Sequence, residues 1–165
     1  MHSAQFVNQL SQVVFPDVFN PYRDLCKDHD HSESPAIRRL NLQKYLEAVV
    51  SCGVDSLWLG RDCGYRGGRR TGIALTDEMQ LETLERHFGF AGITKATVGM
   101  AVKERTATAV WKSIREVNAK VFLWNVFPFH PHESGKPMSN RCHTAREFSA
   151  CRDLLLTLIE WLQPK

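Results

Sequence analysis

Apolar side chains recur every three or four positions over residues 3–14, with Phe6, Leu10, Val13 and Val14 on one face, which predicts a first helix. The same period returns over residues 41–52. There Leu42, Tyr45, Leu46, Val49 and Val50 form a stripe, and Gly53 stands where a helix would be capped. The polar stretch Asp28–Pro35 between them reads as a loop. The period then changes. Ser56–Gly60 is a short apolar run ending in glycine, the pattern of a buried strand, and a Gly/Arg-rich loop, Asp62–Thr71, follows it. Helical spacing resumes over 78–88, with Leu81, Leu84 and Phe88 inward. It resumes again over 104–117, with Ala107, Val110, Trp111, Ile114 and Val117 inward. Val121–Val126 is the second strand. After a polar, proline-containing loop, Thr144 and Glu147 have the spacing of a capping box. They open a last helix whose stripe is Phe148, Cys151, Leu155, Leu158, Ile159 and Leu162.

Strands that alternate with helices and are buried on both faces predict an α/β fold with a parallel sheet. Ligands of such sheets bind beyond the carboxyl ends of the strands, and the loops after Leu59 and Val126 leave from such ends. Two strands alone have open edges. A single domain over residues 1–165 is therefore expected, incomplete at its C-terminus or completed by a partner chain or a second copy.

Composition narrows this picture. The chain has 165 residues, 43% of them hydrophobic and 24% charged, values of one ordinary globular domain. No apolar run approaches the roughly 18 residues of a membrane span, and the N-terminus lacks the basic start and apolar core of a signal peptide. The expectation is a cytoplasmic protein with no membrane partner. A net charge of +3 says little, but Arg61, Arg66, Arg69 and Arg70 fall within ten residues. They form either a phosphate-contacting surface or a solvated loop. The five cysteines are odd in number and include no C-x-x-C pair, which argues for free thiols rather than a zinc ribbon or disulfides.

Two stretches carry candidate chemistry. In Gly60–Asp77, dense glycine lets the backbone approach a ligand closely, without the spacing of a P-loop or a dinucleotide fingerprint. Asp62, at a strand end, is placed to orient an attacking water or to act as a loop cap. In Val121–Arg141, Asn125 ends an apolar strand and is either a structural bridge or a reader of a polar ring edge. Asn140 and Arg141 are placed to hold a phosphate or to cap a turn. His130 and His132, with no third ligand, make a poor metal site.

Taken together, these stretches resemble the uracil-DNA glycosylase superfamily over roughly residues 17–165. Gly60, Asp62, Gly68 and Gly72 match a Gly-Gln-Asp-Pro-Tyr-His motif that runs on to His-Gly-Leu-Cys-Phe-Ser, and Thr76 takes the place of its serine. Asn125 sits where the family's uracil-reading asparagine ends a strand. Asn140-Arg141 resembles the Pro-Pro-Gly-Asn-Arg loop, and Phe19-Asn20-Pro21-Tyr22 the entry segment of bacterial members.

The resemblance implies a three-layer αβα fold and DNA as partner, with a base flipped into a pocket. It assigns Asp62 to the catalytic water and Asn125 to the base edge. The N–H groups of Arg61 and Asp62, next to Gly60, would hold a base carbonyl, and Leu75 would stand where a phenylalanine stacks. Arg66, Arg69, Arg70, Asn140 and Arg141 would meet the nucleic acid. No metal or other cofactor is implied, and Phe129 replaces an iron–sulfur cysteine. Gly64 replaces a tyrosine that excludes thymine, which opens the pocket to bulkier bases. The family's third and fourth strands and His-Pro-Ser segment have no counterpart, and neither His130 nor His143 takes that histidine's place in chain order. The expected function is therefore hydrolysis of the N-glycosidic bond of uracil or a related damaged base. The alternative is a non-catalytic nucleic-acid-binding module derived from the same fold.

Overall fold

The computed structural model describes residues 2–117 and 119–165. Helix α1 is Ser3–Gln12 and α2 is Ser34–Cys52, joined through a two-residue strand, β1 (Val18–Phe19). Strand β2 is Ser56–Asp62. A single helical turn, α3 (Gly68–Thr71), and a 3-10 turn at Glu78–Gln80 lead into α4 (Leu81–Phe88) and α5 (Arg105–Glu116). Strand β3 (Val121–Phe127), a short β4 (His130–Pro131) and α6 (Ala145–Leu162) complete the order. The protein is mixed helix and strand around a small parallel sheet, since β2 and β3 pair in parallel with Ser56 opposite Val121 and Gly60 opposite Asn125.

Several boundaries differ from the periodic reading, each for a local reason. Helix α1 stops at Gln12, and Val14 is 62% exposed. The Asn20 amide donates to the carbonyls of Leu10 (2.8 Å) and Val13 (3.0 Å), satisfying groups a helix end leaves open. Helix α2 begins seven residues before the expected start at residue 41, with Pro35 in the first turn, where its missing N–H does no harm. Its first two turns hid it because Leu40 is exposed while the polar Ser34 and Arg38 are buried. Arg38 donates to both oxygens of Asp30 (2.8 and 3.0 Å) and to the carbonyl of Pro21, and Asn41 pairs with the backbone of Thr94. The stripe residues Val50, Val117 and Ile159 are exposed rather than inward. The stretch expected as one loop, Asp62–Thr71, ends in the α3 turn. Gly72 closes it at φ +73°, and a Cβ there would strike Arg38.

One apolar cluster binds these elements. Phe122 and Trp124 of β3 meet Tyr45 of α2 (5.2 Å) and Phe6 of α1 (5.9 Å), and Trp161 of α6 reaches Phe6 (6.3 Å). The Leu123 N–H donates to the Tyr45 hydroxyl at 3.0 Å, anchoring α2 on the sheet. Every residue of β3 except Val126 is buried. Strand β2 is only half covered, with Leu59 46% exposed, because among the described residues it pairs with β3 alone. A second, antiparallel pair joins β1 to β4, with Phe19 opposite His130. It brings the entry segment onto the loop after β3, a contact periodicity does not foresee. No helix is long and apolar enough to cross a membrane, among the described residues.

Candidate active site

The parallel register places Gly60 beside Asn125, so both informative loops leave the same end of the sheet. A Cβ on Gly60 would collide with Oδ1 of Asn125 and with the Leu75 side chain, so only glycine fits. Asn125 is 1% exposed. Its Nδ2 donates to the Cys63 sulfur at 3.1 Å, and Cys63 donates its own proton to the carbonyl of Pro128 at 3.3 Å. Burial pushes the Cys63 thiol up to about 12, so that proton stays in place. The orientation of the amide follows: Nδ2 faces sulfur, and Oδ1 is left without a partner among the described residues. Asn125 borders a cavity of about 210 Å³ that Asp62, Leu75 and Asn140 also line, with Oδ1 itself buried against Gly60. Leu75 reaches it from a backbone at φ +52°, a conformation costing about 1–3 kcal/mol for a branched residue. The Thr71 hydroxyl bonds the Thr76 carbonyl (2.8 Å) and steadies that turn.

Asp62 ends β2 with its side chain 6% exposed. Oδ2 takes Nε of Arg61 at 2.6 Å, and Oδ1 takes Nδ1 of His143 at 2.5 Å and the His143 backbone N–H at 3.3 Å. The hydrogen bond to Asp62, and then its charge, raise the Arg61 guanidinium above its ordinary value. Three donors leave about one of the carboxylate's four acceptor directions for a water. The His143 ring lies between Phe127 (5.6 Å) and Phe148 (6.0 Å).

A second carboxyl, Glu104, enters from the residue before α5. Asp77 caps the 3-10 turn through the N–H groups of Met79 and Gln80, and its other oxygen takes the Glu104 N–H at 2.6 Å. Burial first and Asp77 second raise the Glu104 carboxyl above the usual range, and Arg66 opposes them.

The arginine cluster separates by role. Arg66 is exposed, but Arg69 and Arg70 are 2% and 6% exposed, which corrects their expected place on a phosphate-contacting surface. Arg69 stacks on Phe19 (3.8 Å) and donates to His130 Nδ1 (2.9 Å) and the Pro137 carbonyl (2.7 Å). Arg70 bonds Thr97 and pairs with Glu78. Because Arg69 can only donate, Nε2 of His130 carries the proton, toward Ser139 O (2.8 Å) and Asn140 Oδ1 (3.1 Å). Burial, then Arg69, holds His130 down at about 3, so it is neutral and both its nitrogens are engaged. Asn140 also accepts from the Tyr65 N–H at 3.2 Å. Arg141 grips both oxygens of Glu147 (2.7 and 2.9 Å) and three backbone carbonyls, which makes it a clamp on the start of α6 rather than a free phosphate contact.

The exposed cations gather elsewhere. Arg66, Lys103, Arg105 and Lys112 line a groove of about 650 Å³ that shares Glu104, Thr106 and Asn140 with the cavity. Glu104 and the three cations beyond Arg66 were not singled out by sequence, and His143 was weighed there only as a stand-in for a missing histidine. Glu104 and His143 each stand next to a helix start, the one signal in the chain that bears on them. No protein-family model and no curated protein matches this chain.

Proposed function

We propose that this protein is a uracil-DNA glycosylase-like hydrolase that breaks the N-glycosidic bond of a deaminated or damaged base in DNA. The observation that carries the reading is the pairing of Asp62 with Asn125 across one small cavity at the carboxyl end of the parallel strands. Asp62 would hold a water against the sugar carbon. The unpartnered Oδ1 of Asn125 is buried against Gly60; turned toward the cavity it would suit a ring N–H, as in uracil, rather than the bare ring nitrogen that cytosine presents at the same position. The N–H groups of Arg61 and Asp62 remain the candidates for a base carbonyl. The basic groove beside the cavity fits a phosphate backbone entering from the α5 side. A three-layer αβα arrangement belongs to the same reading, and a partner or second copy along the open edge of β2 would complete the sheet.

The groove also favours a second reading, a nucleic-acid-binding module without catalysis, in which Asp62 is idle. Base release from single- and double-stranded oligonucleotides carrying uracil, with Asp62→Asn beside the wild type, separates the two. Release that vanishes in the variant supports hydrolysis. No release, with salt-sensitive binding retained or tightened in Asp62→Asn, supports the binding module. No release and no binding would remove both.

A further inference from the structure

Glu104 is held in an unusual position for a carboxyl. Its Oε1 lies over the Cα of Gly64 and its Oε2 over that of Gly67, where any Cβ would collide with it. The glycines of the Gly/Arg loop therefore make room for this side chain. Asp77 fixes its backbone, and Asp77 and Glu78 together fasten the segment that delivers it. Glu78 accepts from the Val102 N–H at 2.8 Å and from the Thr97 hydroxyl. Despite this, no donor among the described residues reaches the Glu104 carboxyl, which borders both the cavity and the groove.

We propose that Glu104 is a second catalytic carboxyl, which hands a proton to the departing base while Asp62 serves the water. The inference rests on the glycosylase reading and deepens it. The two carboxyls differ in surroundings in the way an acid and a base should. Asp62 is met by three donors, including the permanent charge of Arg61. Glu104 faces the Asp77 carboxylate and the Cys63 thiol, and Arg66 is the cation that opposes them. Lys103 and Arg105, its chain neighbours, and Lys112 also line the groove. Burial adds to the preference for the protonated form.

In the reaction, the bond between C1′ and the base nitrogen breaks and its electron pair passes to the ring. The Glu104 proton goes to a carbonyl oxygen or ring nitrogen of the base, so the base leaves neutral. Water forms the new bond to C1′ and gives its proton to Asp62. Exchange with solvent then restores both carboxyls.

The test compares release of uracil and of 5-fluorouracil, whose fluorine makes it a better leaving base, by the wild type, Glu104→Gln and Asp62→Asn over about pH 5 to 9. The expected result is a loss of roughly a hundredfold on uracil in Glu104→Gln but less than about tenfold on 5-fluorouracil. The wild-type rate should also carry a limb that falls as pH rises, absent from Glu104→Gln. The ratio of the two bases is internal to one protein, so it decides even if the variant folds less well. Equal losses on both bases, or an unaltered pH profile, would overturn the role of Glu104. If Asp62→Asn is dead at the same time, the glycosylase reading stands without it. A wild type that releases neither base overturns both.

Discussion

Oδ1 of Asp62 lies 2.5 Å from Nδ1 of His143, two residues 81 positions apart in the chain. The contact joins the end of β2 to the loop before α6, and the backbone N–H of His143 reinforces it. A carboxylate bonded this way cannot rotate freely, so its remaining lone pair points in one direction. Nδ1 must carry the proton in this contact if Asp62 is ionised, which leaves Nε2 without a partner among the described residues.

His143→Phe tests this relationship, because it keeps a ring between Phe127 and Phe148 and removes the donor. The rate constant for base release should fall about tenfold or more, with KM little changed, since water positioning and not base binding is lost. An unchanged kcat would take His143 out of the site.

Cysteine reactivity checks the Asn125 arrangement. Cys52 and Cys142 are exposed, while Cys26, Cys63 and Cys151 are buried, and burial holds the last two at about 12. Alkylation of the native protein at about pH 8 should label Cys52 and Cys142 and spare the rest, as peptide mass spectrometry would show. Cys63→Ala removes the partner of Asn125 Nδ2 and should destabilise the protein by about 1–3 kcal/mol in urea unfolding. Rapid labelling of Cys63 would contradict the packing described.

His130 should make stability depend on pH. Its folded value of about 3 lies below the ordinary 6.5, so the unfolded chain binds a proton more readily between them. The contribution is fully present above about pH 6.5 and declines as pH falls toward 3, by up to about 1.4 kcal/mol per unit crossed. Urea midpoints between about pH 4 and 8 should therefore slope more steeply in the wild type than in His130→Gln. Parallel slopes would show that His130 is not held neutral.

The groove and the Arg141 clamp predict opposite signatures. Lys112→Ala or Arg105→Ala should weaken binding to DNA and reduce the slope of log affinity against log salt by about 0.7–0.9 for each phosphate no longer neutralised. Arg141→Ala should instead leave Glu147 without its bidentate partner and lower the melting temperature, with the salt slope unaltered. A reduced slope in Arg141→Ala would return that residue to the nucleic-acid surface.

Strand and helix placement was legible because burial imposes a period: SLWLG and VFLWNV lie in a sheet, and Thr144 and Glu147 form a reciprocal capping box. The shared location of Asp62, Asn125, Gly60 and Leu75 at one end of the sheet was legible because each stands at a strand end or in a glycine-dense turn, where side-chain choice is local. The start of helix α2 was hidden, since Arg38 is a charged residue that a core accepts only with partners, here Asp30 and the Pro21 carbonyl. The partners of the arginines, of Glu104 and of His143 were not legible. Close together in sequence, Arg66 lies before the α3 turn and faces solvent, while Arg69 and Arg70 within it turn inward, where Phe19 and His130 receive one and Thr97 and Glu78 the other. Glu104 and His143 join the site only through Asp77 and Asp62, across 27 and 81 residues. Local pattern determines which backbone forms. Which charges meet is set by contacts distant in sequence, and those exist only once the chain has closed on itself.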